Sequence, residues 1–178
     1  MTVAEKTIAE MTIAEKLLPE FDTETAITRK FLALVPDDKL TWKPHDKSME
    51  LGRLAWHLAD FPSWCTNILT KDVLVFTDED GSKMMGAWMG KTRDQILARF
   101  DADLKPARAA VAAASDEELA QNWRMEWNGQ PMIDDPRIDV YRKWVINHMV
   151  HHRAQLGVYF RLNGIPVPGC YGPSADEM

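Results

Sequence analysis

Apolar residues return every three or four positions in four separate stretches of the chain, the spacing of one buried helix face. In the first stretch, Leu17 to Leu34, the stripe runs Leu18, Phe21, Ala26 (with Ile27), Phe31 and Leu34. Val35-Pro36-Asp37-Asp38 ends it, because proline disfavours helical backbone at the residue before it. The second stretch follows Ser48, the predicted N-cap, and buries Leu51, Leu54, His57, Leu58, Phe61, Trp64 and Ile68. Pro62 within it predicts a kink. The third opens on the capping box Thr92-Arg-Asp-Gln95 and continues through Ile96, Phe100, Leu104, Ala107 and Val111, with Pro106 inside. The last is predicted to start at Asp135-Pro136, an N-cap followed by proline at the first helical position, and to stop at Asn163-Gly164.

The connections carry weaker signals. The segments starting at Thr2, Thr7 and Thr12 repeat a five-residue unit whose period fits neither a helix nor a strand face. They predict a leader over residues 1–16, helical or frayed, ahead of a single domain over 17–178. Thr70 to Gly90 reads as a mixed loop, with a short strand at Val73-Leu-Val-Phe76. Ser115-Asp-Glu-Glu118 is a second capping box opening one further turn. Trp123-Arg-Met-Glu-Trp127 alternates apolar and polar and precedes Asn128-Gly129, the dipeptide favoured in type I′ turns. A small β-hairpin is therefore expected over 122–133, its two tryptophans packing it on the helices. The tail from Ile165, with three prolines, reads as extended. Four long helices with two longer connections predict an all-α four-helix bundle not confined to simple up-down-up-down order.

Composition narrows the function. A chain of 178 residues suits one domain. A net charge of −6, with no run of Lys and Arg, excludes a nucleic-acid-binding surface, which needs a dense basic patch. No basic segment precedes an apolar one at the N-terminus, and no apolar run approaches the roughly 18 residues of a membrane span, so neither a signal peptide nor a membrane segment is expected. Cys65 and Cys170 lie far apart and read as free thiols of a reducing, cytoplasmic compartment. Cys65 lies about 11 Å along its helix from His57, too far to share one ion with it. Most of the seven tryptophans read as helix packing, while Trp56, Trp64 and Trp88 are candidates to wall a pocket.

The chemistry lies in the histidines. His148 and His152 are four residues apart and leave the same helix face one turn apart, along a stripe with Tyr141, Trp144, Gln155 and Tyr159. His151 points about 60 to 100° away and is the poorer ligand. His45 sits in a polar loop between lysines and reads as solvated. His57 occupies an apolar helix face, where a lone histidine is usually satisfied by a neighbouring side chain. Three inward histidines change that balance, because one divalent ion satisfies a nitrogen on each ring at once. Imidazole ligands suit Zn, Ni, Cu or Fe rather than Ca or Mg. With three protein ligands a coordination position stays open, as in catalytic sites.

Asn147-His-Met-Val-His-His-Arg-Ala-Gln155 resembles the H-x3-H-R-x-Q signature of the DinB/YfiT-like superfamily, with Ala154 where that family often has glycine. Leu51-Gly-Arg-Leu-Ala-Trp-His57 resembles its first-histidine helix, and Asn163-Gly-Ile-Pro-Val-Pro with Tyr171-Gly-Pro-Ser its usual ending. The resemblance implies up-down-down-up connectivity, a divalent transition ion (Zn, Ni or Fe) held by His57, His148 and His152, and a homodimer. Some members of that superfamily are thiol S-transferases or thiol-dependent isomerases using a low-molecular-weight thiol. Others are described as metal-dependent hydrolases or as damage-inducible proteins.

The expectation is a metal-dependent transferase or hydrolase acting on a small electrophile, the ion activating a thiol or water. Asp60, with Glu50 behind it, is the candidate general base, against the plainer reading of a solvated helix surface. Gln155, Arg153 and Tyr159 are candidates to orient the ligands or contact substrate, and Arg153 equally suits a surface ion pair. The alternatives are a non-catalytic metal- or ligand-binding module, and a bundle whose histidines are vestigial.

Overall fold

Helix α1 runs Ile13–Leu32 because Thr12 and Glu15 close a capping box: each side chain accepts from the other's backbone N–H. Thr12-Ile-Ala-Glu15 is the third copy of the N-terminal repeat, and in the second copy the Glu10 carboxylate likewise accepts from Thr7 N at 2.8 Å. The computed structural model describes residue 7 and residues 10–178. The first copy of the repeat lies outside these described residues. The expected leader therefore falls partly outside them, and its last four residues form the first turn of α1.

Helix α2 spans Leu51–Thr70 and starts two residues later than a Ser48 cap would place it. The first free amides explain the shift: Leu51 N donates to the Trp42 carbonyl and Gly52 N to the Leu40 carbonyl, both at 2.8 Å. The incoming loop thus caps the helix with its backbone, a device with no residue signature. Strand β1, Val73–Phe76, is followed by helix α3, Asp78–Gly86, inside the stretch expected to be a mixed loop. Thr77 and Asp80 form its capping box, a Thr-x-x-Asp variant of the usual pattern. Helix α4, Arg93–Ala113, and the short α5, Asp116–Ala120, begin behind their expected caps, Thr92 and Ser115.

The hairpin is β2, Asn122–Trp127, and β3, Gln130–Pro136. Asn128 and Gly129 both have positive φ (49 and 75°), as a type I′ turn requires. Two expectations are corrected here. β1 pairs in parallel with β2, giving a three-stranded sheet in the order β1-β2-β3 rather than a lone hairpin. Asp135 pairs with Trp123 in the sheet instead of capping a helix, and the chain turns helical only at Arg137, whose N–H donates to the Gln121 carbonyl.

The last long helix is α6 (Arg137–Tyr141), a π-helical segment over Arg142–Asn147, and α7 (His148–Leu162). The wider π turns rotate the helix face just before His148. Four long helical units, α1, α2, α4 and α6–α7, surround one core, with α4 packed most extensively on α2 and then on α1. Phe21, Phe31, Phe61, Phe100, Met149 and Phe160 are buried in it, as is Trp123 from the sheet. Ala26 and Leu34 face outward and Leu104 is half-buried, while Glu24, Thr25 and Thr28 are buried on α1. No helix among the described residues is long and apolar enough to cross a membrane.

Candidate metal centre

Helices α2 and α7 bring together the three histidines that the spacing singled out. A nitrogen of each of His57, His148 and His152 lies within 4.8 Å of the others, so the three can hold a metal ion. His148 Nε2 is central, 3.5 Å from His57 Nε2 and 2.8 Å from His152 Nε2. The buried Phe61 ring backs the cluster, 5.1 Å from both His57 and His148.

The other ring nitrogens decide what the inward ones offer. Gln155 Oε1 accepts from His152 Nδ1–H at 2.7 Å, while the Gln155 amide donates to His151 Nε2 at 3.0 Å. His152 is thereby held as the tautomer whose Nε2 presents a lone pair. His148 meets both other rings through the same atom, Nε2. His152 Nε2 turns its lone pair to His148 Nε2 across 2.8 Å, a contact that takes either a proton on the His148 nitrogen or a cation shared by the two. The donor set fits a transition ion: three neutral imidazoles and, among the described residues, no thiolate or carboxylate in the cluster.

Neutrality is imposed by the surroundings. Burial, then His152, His148 and Arg53, push His57 down to about 3. Burial with His152 and His151 takes His148 down to about 4, and burial lowers His152 against the opposing bond from Gln155. In the unfolded chain these rings titrate near ~6.5, so between the folded and unfolded values the unfolded state binds more protons. Stability of the metal-free protein is then full above that unfolded value and declines as pH falls towards the folded values, about 4 for His148 and about 3 for His57. The urea midpoint is expected to drop between about pH 7 and about pH 5, more steeply than in His57→Gln, as urea titrations at the two pH values will read.

A cleft of about 430 Å³ opens beside His57. Trp56 and Trp88 line it; Trp64 instead packs on Phe76 of the sheet, 5.8 Å between centroids. The third tryptophan wall is Trp127, which the hairpin carries to α3 rather than onto the bundle core. Its Nε1 donates to Asp78 at 2.7 Å, and it sits so close over Gly81 that any side chain there would overlap its ring. Gly52 likewise leaves room for Trp88.

The remaining candidates occupy different places. Asp60 lines the cleft and is paired with Arg99; burial raises its carboxyl, and Arg99 opposes the rise. Glu50 stands at the N-cap position of α2 without a side-chain capping bond. Arg153 points away from the histidines, buried between Glu24, Thr28 and the Tyr171 hydroxyl. Tyr159 donates to the Met49 carbonyl at 3.1 Å and so ties α7 to the start of α2. Cys65 is fully buried, and burial pushes its thiol up, away from thiolate chemistry. Arg53, missed in the sequence, also lines the cleft. Its signal was available, since it precedes His57 by four residues on the same face of α2.

The DinB family profile matches residues 6–178 of the chain. The uncharacterized protein YrdA of Bacillus subtilis (strain 168) is 28% identical over 164 residues, covering 90% of this chain and 89% of that protein. Among solved structures, a DinB-like protein of Bacillus cereus ATCC 10987 matches with a TM-score of 0.63 at 22% identity, over 90% of this chain and 98% of its own. The DinB-like protein YjoA of Bacillus subtilis matches with a TM-score of 0.65 at 14% identity, over 89% and 99%. These two structural likenesses bear on the fold alone.

Proposed function

The chain belongs to the DinB family, and from that premise we propose that it is a metal-dependent enzyme transferring a low-molecular-weight thiol to a small electrophile, or hydrolysing one. We propose zinc, nickel or iron(II) as the ion, His57, His148 and His152 as its ligands, and a homodimer as the working form. The observation that carries this reading is the convergence of three neutral imidazole nitrogens beside an open cleft. When bound, such an ion lowers the pKa of a thiol or water and polarises a carbonyl.

The chain's own residues supply the rest. Gln155 keeps His152 presenting Nε2 inward and so preserves the ligand geometry without being a ligand itself. The tryptophan walls of the cleft hold an apolar electrophile and keep bulk water from it. Asp60 faces the same cleft with its carboxyl raised by burial, placing it as acceptor for the proton that the thiol or water gives up.

The test is conjugation of cysteine or a sugar-linked cysteine thiol to monochlorobimane, alongside ester and amide hydrolysis. Turnover is expected with zinc, nickel or iron(II) restored to chelator-treated protein, and an expected loss of at least ~100-fold in Asp60→Asn separates its role from packing when KM stays unchanged. Metal-loaded protein that turns over none of these substrates refutes the enzyme reading in favour of a binding module.

A further inference from the structure

Resting on that reading of the centre, we propose that the cleft beside His57 takes a small molecule with a planar apolar body and a carboxylate, the carboxylate held by Arg53. The walls argue for the body. Three indole rings and the thioethers of Met49, Met84 and Met85 line a space of about 430 Å³, within the range of small-ligand pockets. Flat rings and polarisable sulfur favour a planar apolar partner.

The charges argue for the carboxylate. Among the described residues two acidic side chains reach the cleft, and both are already engaged, Asp60 with Arg99 and Asp78 with the Trp127 indole N–H. Arg53 has no carboxylate partner among the described residues; its one hydrogen-bond contact is the Met85 sulfur at 3.5 Å. Lys91, above the Trp56 ring at 5.9 Å, also lacks an ion pair among the described residues. In a chain of net charge −6, Arg53 thus lines the cleft with no carboxylate partner among the described residues. A guanidinium presents a planar fork that matches a carboxylate with two parallel bonds. Arg53 stands one helical turn from His57, so a carboxylate bound there would set the apolar body beside the histidine cluster.

The experiment compares naphthalene-2-carboxylate with naphthalene-2-carboxamide, by tryptophan quenching and calorimetry, on chelator-treated and on zinc-loaded protein. In both forms the acid is expected to bind about tenfold or more tighter than the amide. In Arg53→Gln the two should bind equally, with the amide unchanged, and Arg53→Lys should keep part of the preference. Arg53 makes so few contacts that the variants are expected to keep the parent's thermal midpoint. Equal binding of acid and amide to chelator-treated parent protein overturns the proposal. So does a preference that survives in Arg53→Gln, or one seen only with zinc, which would mark direct binding to the ion. A protein that fails to hold zinc defeats the metal reading and leaves the comparison in chelator-treated protein intact.

Discussion

Replacing His148 by alanine is expected to abolish metal binding. Untagged parent protein, exchanged into zinc and desalted, should carry about one ion per chain by mass spectrometry, and the variant under about a tenth of that. His148 is chosen because its Nε2 is the atom that approaches both other rings, at 3.5 and 2.8 Å. Its loss leaves His57 and His152 alone, and two imidazoles hold a transition ion far more weakly than three. His57→Ala and His152→Ala should behave alike. His151→Ala should keep the ion, since His151 turns outward to accept from Gln155. Parent protein that retains no ion from metal-replete buffer would sink the metal centre outright.

The second large effect is on stability. Arg153 is 2% exposed and its ion-pair partner Glu24 10% exposed at the side chain, 2.6 Å apart. The guanidinium also donates to the Glu24 carbonyl, the Thr28 hydroxyl and the Tyr171 hydroxyl, joining α7, α1 and the C-terminal tail. Arg153→Ala strands the Glu24 carboxylate in the interior, a change that costs about 3–5 kcal/mol. For a chain of this size that is a fall of roughly 10 °C or more in the thermal midpoint. Calorimetry should also find Glu24→Gln/Arg153→Met closer to the parent than Arg153→Ala, because the double change removes both charges together. A midpoint within about 2 °C of the parent in Arg153→Ala would show that the pair does not hold these elements together.

Arg153 also marks where periodicity misleads. On α1 its partners Glu24 and Thr28 are buried and Ala26, expected on the apolar face, is exposed, while Leu34 lies past the end of the helix. A hydrophobic stripe is read by treating polar residues as outward. A polar group satisfied by a partner 129 residues away breaks that rule without any local sign. Elsewhere the local code was sufficient: Thr92-x-x-Gln95, Ser115-x-x-Glu118 and Asn128-Gly129 each act through backbone within a few residues. The same code was present and unread at Thr12-x-x-Glu15 and Thr77-x-x-Asp80, which open α1 and α3.

By itself the sequence determined the helical faces of α2, α4 and α7, the hairpin turn, and the pair His148 and His152 one turn apart, because each follows from spacing along a single element. It also marked His57 as an inward imidazole. Only the tertiary structure decided that His57 meets a residue 91 positions away, and that Gln155 orients His152. The same holds for the parallel pairing of β1 with β2, the cleft shared by Trp88 and Trp127, and the lack of a carboxylate partner for Arg53 among the described residues. The physical reason is common to all of them. Ligand geometry, burial and the pairing of charges depend on which distant side chains share a volume, and that follows from how the helices pack.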